Sequence, residues 1–181
     1  MPPDPRPSPW RIEPLARHHD RAAFSCGNDT LDHYLKELAG QDARRHVAAP
    51  FILVADGDKK TVLGYYTLSS FTVELGDLPA GVARKLPSYP LVPVTLLGRL
   101  AVDRHYKGQN LGELLLIDAL RRAYAQSSQI AAAAVVVDAI DEPATKFYRH
   151  FDFIPFPDRP NRLFLPMKTI AALFPSQSSS S

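Results

Sequence analysis

The stretch Leu96-Leu97-Gly98-Arg99-Leu100-Ala101-Val102-Asp103-Arg104-His105-Tyr106-Lys107-Gly108-Gln109-Asn110-Leu111-Gly112, followed by residues 113–126, decides the fold. Its apolar start, residues 96–102, reads as a strand. Its end, residues 111–126, repeats apolar side chains at helical spacing, so Leu111, Leu114, Leu115, Ala119 and Leu120 are expected to face a sheet. Between them lies a polar turn, residues 107–112, with two glycines, a cation and amide side chains at the mouth of the helix. The first N–H groups of a helix have no partner inside it, and the positive end of its dipole points there. Such a turn is an anion site in outline, because glycine lets a phosphate approach the backbone closely. Glycines at positions 108 and 112 could equally shape a strand-to-helix turn in another α/β fold, so the loop alone leaves both readings open.

Outward from this stretch, the pattern is legible in both directions. Residues 10–15 read as a first strand. Asn28 or Asp29 caps a helix whose apolar positions Leu31, Tyr34, Leu35 and Leu38 recur at helical spacing towards His46. Residues 51–55 and 62–69 form an antiparallel hairpin about the turn at 56–59, and residues 71–75 continue as strand. A short helix over 80–86 is followed by Pro87, Pro90 and Pro93, which forbid regular structure. The central strand is then 94–103. Residues 131–138 are continuously apolar, hence a strand buried on both faces and parallel to its neighbour. A short helix over 142–151 begins near Pro143, strands at 153–156 and 163–167 follow, and residues 168–173 add a turn of helix.

Composition sets the bounds. At 181 residues and 45% hydrophobic, the chain fits one domain over 10–174, with a Pro-rich arm at 1–9 and a disordered Ser-rich tail at 175–181. No apolar run reaches the roughly 18 residues of a membrane span, and the N-terminus has no signal core, so a cytoplasmic protein without a membrane partner is expected. The single cysteine, Cys26, reads as a small core residue rather than a nucleophile, and the six histidines show no metal spacing, so no metal is expected. A net charge of +2 is too mild to prove nucleic-acid binding. The cations are nevertheless grouped; Arg121-Arg122 read as a solvated helix face. Arg99 sits inside an apolar strand, where a guanidinium must be paired, and an internal salt bridge is its preferred reading.

The loop, with Lys107 and Asn110 where Gln or Arg and a glycine are usual, resembles the acyl-CoA pyrophosphate loop of GNAT-family N-acetyltransferases. The order of elements over residues 10–173 is similar to that fold too. Four strings sharpen the likeness: Phe24-Ser-Cys26-Gly27 followed by Leu31-Asp32, Leu97-Gly-Arg-Leu-Ala-Val-Asp103, Val135-Val-Val-Asp138, and Phe147-Tyr148-Arg-His-Phe-Asp-Phe153. They look like the branch of toxins that acetylate the α-amino group of aminoacyl-tRNA. In the last string Asp152 replaces a usual glycine, a change Asp tolerates because it accepts unusual backbone angles.

The resemblance implies an α/β (α+β) GNAT fold: a mixed central sheet of six to seven strands, splayed parallel strands 4 and 5, and flanking helices. It implies an acyl-CoA N-acyltransferase using acetyl-CoA as cosubstrate. The cofactor site it implies comprises Leu100, Ala101, Val102, Lys107, Gly108, Gln109, Asn110, Leu111, Gly112, Asp138 and Phe147, with a backbone N–H near residues 100–102 stabilising the thioester oxygen. Tyr148 carries the family's proton-donor role, protonating the departing thiolate; a half-buried packing aromatic is the competing reading. Among Glu74, Asp77, Asp103, Asp138 and Glu142, spacing singles out no general base. If the acceptor is tRNA, Arg44, Arg45, Arg84 and Lys85 are expected to line its approach. A homodimer and a ribbon-helix-helix antitoxin are implied by resemblance only. Two other functions compete: acetylation of a small-molecule amine or protein N-terminus, which the mild charge favours, and a non-catalytic acyl-CoA-binding module, which Lys107 and Asn110 favour.

Overall fold

A computed structural model describes residues 8–175. The first seven residues of the Pro-rich arm and residues 176–181 of the Ser-rich tail lie outside the described residues. Seven strands alternate with six α-helices: β1 (Trp10–Pro14), α1 (Asp29–His33), α2 (Ala39–Arg44), β2 (Ala49–Ala55), β3 (Gly64–Glu74), α3 (Ala80–Ala83), β4 (Leu91–Val102), α4 (Leu111–Gln126), β5 (Ala134–Asp138), α5 (Glu142–His150), β6 (Ile154–Phe156), β7 (Arg159–Pro166) and α6 (Met167–Leu173). The strands form one mixed sheet in the order β1-β2-β3-β4-β5-β7-β6. β4 and β5 are parallel, and their pairing covers only Thr95–Leu97 against Val135–Val137. Two compact units divide the chain, one holding residues up to Thr67 with Arg99–Asp118, the other Leu68–Gly98 with residues from Ala119 onward.

In the first unit, β1 lies antiparallel to β2, with Trp10 opposite Ala55 and Pro14 opposite Phe51. The helix expected from Asn28 is capped by the Asn28 side chain, which accepts the Leu31 N–H at 3.0 Å. It is one helical run with a π-helical turn, Tyr34–Leu38, set between α1 and α2. The extra residue in that turn rotates the apolar face. Ala39 is therefore fully buried, while Leu38, expected on the face, is 41% exposed. The unit's core gathers Phe24, Leu35, Ile52, Val54 and Tyr65. Gly64 is required here: a Cβ would meet the Ala101 carbonyl oxygen at 2.8 Å and the Leu115 side chain at 2.9 Å.

In the second unit, β5 is apolar and buried over residues 134–137 because it has neighbours on both edges and cover on both faces. It pairs antiparallel with β7, from Ala134 opposite Pro166 to Asp138 opposite Arg162. Two expectations need correction. Pro93 lies within β4 rather than ending it, since proline removes only a donor and its carbonyl still accepts the Ala133 N–H at 2.8 Å. On α4 it is Leu116, not Leu114, that is fully buried, because Leu111, Leu115 and Ala119 join Leu116, Leu120 and Ala123 in one stripe that leaves Leu114 at its rim.

Candidate active site

The first unit supplies a strand end, a loop and a helix start. Asp103, at the end of β4, is buried and accepts three N–H groups: Ser25 N–H at 3.0 Å, His105 N–H at 2.9 Å and the His105 ring at 2.9 Å. Burial opposes its ionisation, but these donors outweigh burial and hold its carboxyl below the usual range. Arg104 N–H returns to the Ser25 carbonyl at 2.8 Å, which ties the start of the loop to the turn at 24–27. Gly27, at φ +90°, passes near Lys107; a Cβ there would lie 3.9 Å from its Nζ.

The loop then turns twice through the left-handed region, at Gly108 (φ 83°) and Asn110 (φ 58°). Asn110 thus takes the backbone that its resemblance to a glycine position requires. The first bond of α4 runs from Leu114 N–H to the Asn110 carbonyl at 3.1 Å. Among the described residues, no hydrogen bond is donated by the N–H groups of residues 107–113. A row of free amides, an exposed lysine and a helix start together fit a pyrophosphate. Leu100 and Val102 are half-buried and Ala101 is buried.

Two neighbours of this region bear on chemistry. Cys26 is buried and donates to the Asn28 carbonyl, and burial, with Asp32 beside it, pushes its thiol up to about 11. It is an inert core thiol, as its place in the sequence implies. Arg99 is not ion-paired among the described residues. Its guanidinium instead lies 3.5 Å from the centroid of the Tyr34 ring, and the Tyr34 hydroxyl donates to Asp42 at 2.9 Å. A flat guanidinium can bury its face on an aromatic ring without a carboxylate, which is why the salt bridge expected from the sequence is absent.

The second unit supplies Tyr148, on α5. The helix starts where the Asp141 side chain accepts the Ala144 N–H at 2.8 Å, with Pro143 in its first turn. It ends at Phe151, and Asp152 turns the chain at φ 69°, the left-handed angle that a glycine would have taken freely. Tyr148 is only 7% exposed, wedged between Phe147 (5.2 Å) and Phe153 (5.4 Å). Burial pushes its hydroxyl well above the usual phenol value. That hydroxyl has no hydrogen-bond partner among the described residues, so its proton is not committed to another group of the chain.

Asp138, at the end of β5, is gripped bidentately by Arg162, with Nε at 2.8 Å and Nη2 at 3.0 Å. Arg162 also lies 5.2 Å from the Phe71 ring centroid. Three donors hold Asp103 in its charged form and Asp138 is engaged by Arg162, while Glu74, Asp77 and Glu142 are exposed. Arg44, Arg45, Arg84 and Lys85 are all exposed, the first two in one unit and the last two in the other. Sequence reasoning missed one grouping, Glu13 with His18 and His19, whose possible ligand atoms lie within 4.8 Å of one another. The Nδ1 of His19 accepts the Ala16 N–H at 3.0 Å, so its Nε2 carries the proton given to Glu13 at 2.8 Å. That proton occupies the position a metal would need.

These features meet comparison with known proteins at one point. The profile of the acetyltransferase (GNAT) family matches residues 12–153. The chain belongs to that family. GNAT relatives share most of its length. It is 34% identical over 170 residues to a probable toxin TacT of Sinorhizobium fredii, covering 90% of this chain and 93% of the relative. It is 40% identical over 154 residues to a tRNA-acetylating toxin of Mycobacterium tuberculosis, covering 85% and 90%. The solved structure of AtaT complexed with acetyl-methionyl-tRNAfMet superposes with a TM-score of 0.84 at 32% identity, covering 91% of this chain and 99% of that one. A tyrosine-to-phenylalanine mutant of AtaT has also been solved bound to the C-terminus of the antitoxin AtaR and acetyl-CoA, at a TM-score of 0.77 and 30% identity, covering 91% and 97%. The GNAT fold and the acyltransferase class expected from the sequence are thereby established.

Proposed function

We propose that this GNAT enzyme moves the acetyl group of acetyl-CoA onto the α-amino group of an aminoacyl-tRNA, as a toxin of translation. The observation that carries the reading is near full-length likeness to tRNA-acetylating proteins, at 40% identity to one and a TM-score of 0.84 to another. In this reading the free amides of Gln109, Asn110, Leu111 and Gly112 hold the pyrophosphate, Gly108 gives clearance and Lys107 adds charge. Leu100 to Val102 offer a backbone N–H to the thioester oxygen, where negative charge develops as the amine adds to the carbonyl carbon. Asp138 and Phe147 border the cofactor. When the carbon–sulfur bond breaks, Tyr148 gives its hydroxyl proton to the CoA sulfur; its raised affinity for that proton keeps it loaded at every physiological pH.

No carboxylate is assigned as base. An α-amine, with a pKa near 7.7–8.0, is substantially neutral at working pH, whereas a lysine amine near 10.4 would need one. Exposed Arg44, Arg45, Arg84 and Lys85 serve the tRNA backbone. We further read residues 10–174 as one domain, the chain as a cytoplasmic homodimer, and its regulator as a ribbon-helix-helix antitoxin. Filter binding of aminoacyl-tRNA to the full chain across 50–200 mM salt tests the acceptor, since about four released counterions would cost on the order of a hundredfold in affinity over that range. Affinity indifferent to salt rejects the tRNA reading.

A further inference from the structure

Arg99 is the charged group that neither the fold nor the chemistry above has used. It stands near the C-terminal end of β4, a half-buried guanidinium with no acid within ion-pair reach among the described residues. Its apparent counter-charges are engaged elsewhere. Asp32 accepts the Cys26 N–H at 2.9 Å, Asp42 accepts the Tyr34 hydroxyl, and Asp103 accepts its three N–H groups. Arg99 makes no hydrogen bond among the described residues, and none of its nitrogens is sealed from solvent without a partner, so its donors remain available.

The support beneath it is rigid. The Tyr34 ring lies beneath the guanidinium carbon at 3.5 Å, is buried, is fixed at its hydroxyl by Asp42 and stacks on Tyr65 at 6.3 Å. Tyr65 in turn donates to the Leu31 carbonyl at 2.7 Å. Tyr34 opens the π-helical turn, a kind of irregularity that recurs at functional sites. A guanidinium whose face is covered and whose five N–H donors remain open is pre-organised for two oxygens of one anion.

The position on the strand selects which anion. Arg99 and Ala101 lie on the same face of β4, about 7 Å apart along it. Along the chain the residues assigned to the acyl group, 100–102, stand between Arg99 and the loop assigned to the CoA phosphates, which begins beyond the strand end at Val102. The pantetheine arm between phosphates and thioester carries no anion. The anion for Arg99 then comes from the acceptor. We infer that Arg99, stacked on Tyr34, is a specificity-determining residue that grips a backbone phosphate at the 3′ end of the aminoacyl-tRNA and sets its amine against the thioester. This rests on the tRNA reading above.

Steady-state acetylation of aminoacyl-tRNA by the full chain separates the outcomes. For Arg99→Gln, KM for aminoacyl-tRNA rises tenfold or more, KM for acetyl-CoA stays within twofold, and the salt slope of log KM becomes shallower by about one. Arg99→Lys, which keeps the charge and is the milder change to packing, retains the salt slope but still raises KM, since a point charge cannot bind bidentately. A KM for aminoacyl-tRNA unchanged in both variants overturns the inference. A raised KM with an unchanged salt slope in Arg99→Gln also overturns it, by marking a neutral carbonyl as the partner. Should wild type give no tRNA-dependent turnover at all, the acceptor reading itself fails, and this inference with it.

Discussion

At the residue scale the account turns on Tyr148, a buried ring whose hydroxyl has no partner among the described residues. Tyr148→Phe removes only the hydroxyl, so the contacts with Phe147 and Phe153 survive and the melting temperature changes little. Loss of a proton given in the transition state lowers kcat by about a hundredfold, the low end for a general acid because a thiolate leaves fairly well unaided. KM for acetyl-CoA stays constant; a variant that keeps most of its kcat reduces Tyr148 to packing. Asp103 gives a second residue-scale test. Its carboxyl is held below the usual value in the fold, so its contribution is present above the unfolded value near 3.9 and is lost as pH falls through the folded one. Thermal melts of Asp103→Asn against wild type show a deficit at pH 7 that shrinks below pH 4. A deficit independent of pH contradicts the assignment. Some of this was readable beforehand: Asn110 and Asp152 both sit at the positive φ that their resemblance to glycine positions required. The fate of Arg99 was not, because no spacing rule says whether a strand arginine will find an acid or an aromatic ring.

At the element scale the deciding unit is strand, loop and helix. The bounds of α4 coincide with the helical periodicity of residues 111–126, since a long amphipathic helix carries its own signal. The helix from Asn28 was legible in its cap and not in its π-helical turn, which no capping or spacing signal marks. Pro93 misled for a related reason: proline forbids a donor, and whether a strand needs that donor depends on its neighbour. The loop predicts a variant. Gly112→Asp sets a carboxylate beside the amides assigned to the pyrophosphate, and calorimetry should find acetyl-CoA binding weakened at least a hundredfold while circular dichroism stays native. Unchanged affinity contradicts the loop assignment. At Gly64 the constraint is steric instead, a close approach of β3 to Ala101 and Leu115, which a reading of turns and motifs passes over.

At the scale of the whole molecule, the parallel β4–β5 pair follows from one continuously apolar strand, and near full-length likeness to GNAT toxins agrees. The acceptor is the part that composition could not supply, because a net charge of +2 is compatible with a small amine as well as with tRNA. Placement of cations matters more than their sum, and Arg44, Arg45, Arg84 and Lys85 are all exposed. The most direct measurement incubates the full chain with acetyl-labelled acetyl-CoA and matched pools of aminoacylated and deacylated tRNA. The account predicts label in the aminoacylated pool alone, released with the amino acid as its N-acetyl derivative when the ester is hydrolysed. Label in neither pool while a free amine is acetylated, or equal label in both, contradicts it.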